Sequence, residues 1–303
     1  MTPNQLLQLQ SLPFTAKLEY SKQLVKEWYE YWNGEVAILF SGGKDSTVTM
    51  NIVQDLYPEV PALFVDTGME YPEIYEFISQ CKNVKVLIPD FTYDPYVRTD
   101  DVKGQSDAVK YLAGLGHKKI AHILKDRIPG AVNDEERIQL LKQLPEKYAY
   151  LIDAPFRISD QCCNLIKGNT VHRYCKEHGL KPYDSLLACE SINRLKNTVN
   201  KGFHIFGTDD PNCRPIAFWK EEDIYQYFET MNVPYCSIYG DFRTFGEKRT
   251  NCMYCLFGCH LEKQPNKIQR MKLHHPSQYR YAMDNLNFGQ VLNYLHIAYE
   301  IDD

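Results

Sequence analysis

The most constraining stretch of this sequence is Val36-Ala37-Ile38-Leu39-Phe40-Ser41-Gly42-Gly43-Lys44-Asp45-Ser46. Its first five residues are all apolar, as in a strand buried on both faces of a parallel sheet. Two glycines follow, and then apolar residues at helical spacing through Val48, Ile52, Val53 and Leu56. A chain that turns from a buried strand through glycines into a helix leaves backbone N–H groups unpaired at the helix start. Together with the positive end of the helix dipole they form an anion site. Glycine lets the backbone approach the anion, and Ser41 and Ser46 add hydroxyl donors. Lys44 adds a charge and is expected to be exposed. An ordinary Gly-Gly turn with an exposed lysine would explain the glycine pair, but not all six residues of the junction. The loop lacks the spacer and the hydroxyl residue of a Walker A motif, and G-x-G-x-x-G is absent.

The 303 residues suggest two domains, or one large α/β domain with an appendage. A net charge of −5 argues against a general polyanion binder, so any nucleic-acid contact would need a local basic patch. No apolar run reaches the roughly 18 residues of a membrane span. The first ten residues lack the basic start and apolar core of a signal peptide, so a cytoplasmic location is expected. In that compartment ten cysteines point to metal binding or redox work rather than to disulfides.

Residues 15–33 read as an amphipathic helix, with Leu18, Leu24, Val25, Trp28 and Trp32 on one stripe, Thr15 as its cap and Gly34 as its end. A second buried strand, Ala62-Leu63-Phe64-Val65, delivers Asp66 to its carboxyl end, where open α/β sheets bind ligands. Asp66 reads equally well as a cap or turn residue. A helix is expected to start at Pro72, and a third strand to cover 84–88. Residues 91–155 are less readable; helices are expected over 117–127 and 134–144. His117, Lys118, Lys119, His122, Lys125 and Arg127 cluster there, as a solvated face or a nucleic-acid contact. A short strand is expected over 185–188.

Cys162 and Cys163 are adjacent and poor disulfide partners for each other; each could be a small buried apolar residue. Cys252 and Cys255 form a C-x-x-C, whose spacing lets two sulfurs reach one metal and fits zinc, a redox disulfide or a cluster.

Ser41-Gly42-Gly43-Lys44-Asp45-Ser46 resembles the PP-loop of the adenine nucleotide α-hydrolase-like (ATP pyrophosphatase) superfamily. Residues 64–73, Phe-Val-Asp-Thr-Gly-Met-Glu-Tyr-Pro-Glu, resemble the second strand of its phosphoadenosine phosphosulfate (PAPS) reductase branch. Glu190-Ser191-x-x-Arg194 resembles that branch's substrate-anion segment, although Leu187 stands where an arginine is usual. The Cys-Cys and C-x-x-C pairs together resemble the [4Fe–4S] ligation of adenosine phosphosulfate (APS) reductases. The resemblance implies an α/β fold: a doubly wound, mostly parallel, Rossmann-like sheet with a C-terminal cysteine-rich extension. Its implied divisions are a helical segment at 1–34, a nucleotide-binding domain at 35–235 enlarged over 91–155, and a cluster-binding and helical region at 236–303.

The resemblance further implies that ATP or a related adenine nucleotide, with Mg2+, binds Ser41, Gly42, Gly43, Lys44, Asp45, Ser46, Asp66, Glu190, Ser191 and Arg194. A [4Fe–4S] cluster is implied on Cys162, Cys163, Cys252 and Cys255, with zinc on the same thiolates as the alternative. Lys44, Asp45 and Cys259 are the candidate catalytic residues, Cys259 being either a structural cysteine or a sulfur-handling thiol. The implied chemistry is adenylation of an acceptor such as a nucleic acid, followed by sulfur transfer from a donor such as a cysteine desulfurase. The alternatives are thioredoxin-dependent reduction of adenylyl sulfate and a non-catalytic nucleotide and cluster sensor. Family reductases carry their nucleophilic cysteine on a C-terminal tail, and no cysteine follows Cys259 here. The oligomeric state is left open.

Overall fold

The computed structural model describes residues 1–89, 163–244, 246–250, 252–256, 259 and 262–301. The helices expected over 117–127 and 134–144, their basic cluster and Cys162 lie outside the described residues. The chain divides into two compact units, Met1–Asp90 with Lys167–Met253, and Phe91–Ile166 with Tyr254–Asp303.

In the first unit, helices α1 (Pro3–Gln10) and α2 (Phe14–Tyr31) lead to strand β1 (Val36–Phe40) and helix α3 (Lys44–Leu56). Then come β2 (Ala62–Val65), α4 (Pro72–Gln80) and β3 (Val84–Leu87). After residue 167 follow α5 (Asn169–Glu177), β4 (Lys181–Tyr183), α6 (Ile192–Lys201), β5 (His204–Ile205), β6 (Asn212–Cys213) and α7 (Glu221–Met231). The six strands form one sheet in the order β3-β2-β1-β4-β6-β5. Every pairing is parallel except β5 with β6.

Strand β1 is central because it is apolar on both faces: Val36, Ala37 and Ile38 are fully buried. On one face Ala37, Leu63, Val65 and Leu87 form a core with Cys175 of α5. On the other, Phe40 packs near Phe77 and Phe64 near Tyr75, both from α4. Helices thus cover both faces, and the fold is a doubly wound, mostly parallel α/β sheet, as expected. Strand order runs outward from β1 to β3 and then resumes on the other side of β1 with β4. That reversal opens a crevice at the carboxyl ends of β1 and β4.

Three local expectations need correction. Helix α2 begins at Phe14 with Pro13, not Thr15, as its cap residue, and it ends at Tyr31 with Trp32 as its C-cap, before Gly34; Asn33 and Gly34 follow with φ +50° and +79°, and the Gly34 N–H donates to the Tyr29 carbonyl. The strand expected over 185–188 lies earlier, at Lys181–Tyr183, where Tyr183 pairs with Ile38 and with Cys213. Beyond Asp184 the chain leaves the sheet and closes a 3-10 turn at Ala188–Glu190. Strand β3 ends at Leu87, and Ile88 is 70% exposed.

The second unit is described by α8 (Lys267–His274), α9 (Pro276–Asn285) and α10 (Phe288–Tyr294). Asn266 caps α8 by accepting the N–H groups of Ile268 and Gln269, and Gln269 reaches back to the Asn266 N–H. Its buried apolar residues include Ile268, Met271, Ala282, Leu286, Val291 and Leu292. Among the described residues, no helix is long and apolar enough to cross a membrane.

Candidate functional site

The turn from β1 into α3 stands at the crevice. Gly42 takes φ +71°, and a Cβ there would lie 2.9 Å from Ile74 Cγ2. Both facts require glycine. Gly42→Ala is therefore expected to cost about 1–3 kcal/mol and to shift the loop, measurable as a lower melting temperature. The hydroxyl of Ser46 ties the loop's two ends, accepting the Ser41 N–H at 3.2 Å and donating to the Gly43 carbonyl at 2.9 Å. Ser41 Oγ accepts the Gly43 N–H at 3.3 Å. These two hydroxyls thus shape the loop.

Lys44 is not exposed, contrary to expectation; only 4% of it is accessible. The Tyr239 ring and the segment 246–250 lie over it. Its ammonium donates to the Lys248 carbonyl at 3.2 Å and sits 3.7 Å from Asp45 and 3.5 Å from Glu221. The ring centroid of Tyr239 is 5.9 Å away. The backbone N–H of Lys44, at the start of α3, donates to the Tyr239 hydroxyl at 3.1 Å, which in turn bonds Thr250 Oγ1 at 2.6 Å. Burial raises the Asp45 carboxyl above its ordinary range, and the Lys44 charge opposes that rise. Asp45 Oδ1 is buried with no hydrogen-bond partner.

This loop lines a cavity of about 640 Å³, within the usual range for small-molecule sites. Glu190 and Arg194 line it as well, paired with one another, and Arg249 Nη2 lies 3.6 Å from Glu190. Ser191 instead caps α6, accepting the Arg194 N–H at 3.2 Å. Asp66 does not line the cavity. One of its carboxylate oxygens accepts the Gly68 N–H and the Tyr75 hydroxyl, both at 2.8 Å, which is the turn role.

Sequence reasoning gave no site role to Asp184, Arg214, Tyr239 or Arg249, all of which line the cavity. They come from separate connections, and no local pattern marks them. Arg214 donates to Asn197 at 2.9 Å and lies 3.7 Å from Asp184. Burial lifts the Asp184 carboxyl, against the pull of Arg214.

Cys252 belongs to a second polar group. Lys167 bonds Cys252 and Glu70, with its ammonium 3.1 Å from the Glu70 carboxylate. Burial disfavours the Lys167 charge, but Cys252 and Glu70 outweigh it and hold the amine above its usual range. Burial likewise works against ionised Glu70, yet Lys167 and Thr67 hold its carboxyl below the ordinary value. The Met253 N–H donates to the Met69 carbonyl at 2.7 Å and pins this segment. Cys163 is exposed, Cys255 half-buried, and Cys162 lies outside the described residues. Among the described residues, no three His, Cys, Asp or Glu side chains gather as a metal set. Cys259 is 1% exposed, and burial pushes its thiol up to about 11.

A glycine loop at the switch point of a doubly wound parallel sheet opens into a cavity lined by Lys44, Lys167, Arg194, Arg214 and Arg249 together with Asp45, Asp184, Glu190 and Asp210, which defines an α/β protein with a charged crevice. The chain belongs to the phosphoadenosine phosphosulfate reductase domain family, whose model matches residues 35–112 and 133–255. It is 38% identical over 67 residues to the phosphoadenosine 5'-phosphosulfate reductase of Klebsiella pneumoniae (strain 342), a match covering 22% of this chain and only 28% of that protein. It is 25% identical over 247 residues to sulfate adenylyltransferase subunit 2 of Marinomonas sp. (strain MWYL1), covering 77% of this chain and 70% of that one. The crystal structure of PAPS reductase from Candida auris in its phosphate complex matches at a TM-score of 0.42 and 14% identity, over 76% of this chain and 90% of that one.

Proposed function

We propose that this protein is an enzyme that holds ATP, with the phosphates on residues 41–46, and uses it to activate an acceptor for sulfur transfer. The acceptor oxygen attacks the α-phosphorus and pyrophosphate leaves. The terminal sulfur of a persulfide, delivered by a donor such as a cysteine desulfurase, then displaces AMP, and a thiol reductant cleaves the S–S bond, which leaves one sulfur on the acceptor and a disulfide as the oxidised product. The supporting observation is the loop itself. It combines a helix N-terminus, a buried lysine and a half-buried carboxylate on one cavity wall, groups suited to holding a polyphosphate as it is cleaved. The unpartnered Oδ1 of Asp45 is a carboxylate oxygen that would hold a Mg2+ ion, which would supply positive charge for the phosphates. A nucleic acid is the acceptor class this reading favours.

Cys252, beside the Lys167 ammonium, fits a metal-held thiolate, because a cation offsets the charge of the donor set. With Cys162, Cys163 and Cys255 it would hold a [4Fe–4S] cluster, which supplies redox and sulfur chemistry when bound. Protein purified without oxygen is expected to be brown and to contain iron and sulfide. Changing any of the four cysteines to serine should cut the iron content. Colourless protein with one stoichiometric zinc replaces the cluster by zinc.

The names of the reductase relatives favour a second reading, reduction of adenylyl sulfate. That reaction needs a thiolate poised to attack sulfur, and Cys259 is buried with its thiol pushed up to about 11. One experiment decides between them. Pyrophosphate release from ATP is measured with RNA and with DNA, and sulfite release from adenylyl sulfate or its 3'-phosphorylated form with thioredoxin. Nucleic-acid-stimulated pyrophosphate release without sulfite is expected. Thioredoxin-dependent sulfite lost on Cys259→Ser makes the protein a reductase. Nucleotide binding without either product makes it a sensor.

A further inference from the structure

The crevice has walls of opposite character. On the β2 side of the loop the wall is apolar, with Leu63 and Val65 packed together with Val171 and Cys175 of α5. On the β4 side it is polar, with Asp184 and Ser185 after β4, Asn212 on β6 and Arg214 just after it. A nucleotide on the loop can place its base against the apolar wall. The polar wall then has no assigned ligand.

The sheet brings this polar wall together. Asn212 and Arg214 flank Cys213, which is fully buried, so strand alternation turns both side chains to the opposite face. Tyr183 pairs with Cys213, and the Asp184 N–H donates to the Cys213 carbonyl at 2.7 Å. That register sets Ser185 beside the pair. Three buried polar atoms there have no hydrogen-bond partner: Ser185 Oγ, Asn212 Oδ1 and Arg214 Nε. The amide orientation of Asn212 is determined, because its Nδ2 donates to the Asp210 carbonyl at 3.1 Å and leaves Oδ1 over. Each unmet group carries a desolvation cost that a ligand in the cavity offsets.

Arg214 already faces a counterion, Asp184, at 3.7 Å, and His172 Nδ1 lies 3.5 Å from Asp210. The uncommitted capacity is one acceptor, one N–H donor and one hydroxyl, which together match a neutral group better than an anion.

We propose that Ser185, Asn212 and Arg214 form a second subsite of the crevice, which takes the acceptor through a neutral amide-like edge, an N–H beside a C=O. The naming of the occupant as the acceptor rests on the sulfur-transfer reading; the chemistry of the edge does not. The ligand N–H donates to Asn212 Oδ1, and its carbonyl accepts from Arg214 and Ser185. An edge with an acceptor in place of the N–H meets the Asn212 lone pairs and is refused.

The test titrates the full chain by calorimetry and saturation-transfer NMR. Uridine is the lactam probe, and 3-methyluridine, which lacks the N–H, is its control. Each is titrated with and without α,β-methylene ATP. Uridine is expected to bind at least about tenfold tighter than 3-methyluridine. Asn212→Leu should erase the preference and Ser185→Ala should reduce it, with melting curves reporting that each variant folds. If Asn212→Leu does not fold, Ser185→Ala carries the comparison. Equal binding of the two probes, no detectable uridine binding, or a preference that survives both variants overturns the subsite. Failure of the ATP analogue to bind overturns the nucleotide reading instead, and the titration without analogue still decides the subsite.

Discussion

Lys44→Ala is expected to lower pyrophosphate release about 10²–10³-fold, the loss that follows removal of one preorganised charge-stabilising donor. The ammonium is buried against the loop, held by the Lys248 carbonyl, Asp45 and Glu221, and meets a phosphate by exchanging these partners for its oxygens. Its burial adds a second consequence. Asp45 and Glu221 lose their shared cation, and the variant should also be less stable, by about 1–3 kcal/mol. Lys44→Arg keeps the charge and should recover much of the stability but less of the rate, because a guanidinium does not fit a pocket shaped for a point charge. Steady-state pyrophosphate assays and thermal melts separate the two effects. Unchanged turnover in folded Lys44→Ala removes the phosphate role from this loop.

The second large effect concerns the scaffold. Lys17 on α2 donates to both oxygens of Asp223 on α7 at 2.7 and 2.8 Å, and their side chains are 4% and 10% accessible. Asp223 also accepts the Lys220 N–H at 2.6 Å, which caps the start of α7. Lys17→Met should therefore cost about 3–5 kcal/mol, because it strands a buried carboxylate. The double variant Lys17→Met with Asp223→Leu removes both charges and should recover most of that loss, less the cap. Denaturant melts check both. A single variant within 1 kcal/mol of the parent would show that water reaches Asp223 freely.

The parallel sheet was legible because its central strands are short apolar runs whose pattern needs no partner to interpret. Val36 to Phe40 and Ala62 to Val65 read as buried on both faces and are so, except at Leu39, which is half-buried and lines the cavity. The start of α4 at Pro72 was legible for a similar reason, since proline suits the first turn of a helix. Strand β4 was misplaced because Ser185 to Ala188 carries a pattern as apolar as that of Lys181 to Tyr183. Only pairing with Ile38 and Cys213 selects the earlier run.

The sequence by itself determined the glycine loop, the strands that flank it and the cysteine pairs, because each is a local pattern with a local physical cause. Tertiary structure alone decided the rest of the crevice. It buried Lys44 under Tyr239 and residues 246–250, turned Asp66 into a turn residue, and brought Asp184, Arg214 and Arg249 to one cavity. It also joined Lys167, Glu70 and Cys252. Contacts between residues so far apart in the chain depend on strand order and register, and no window of sequence encodes those.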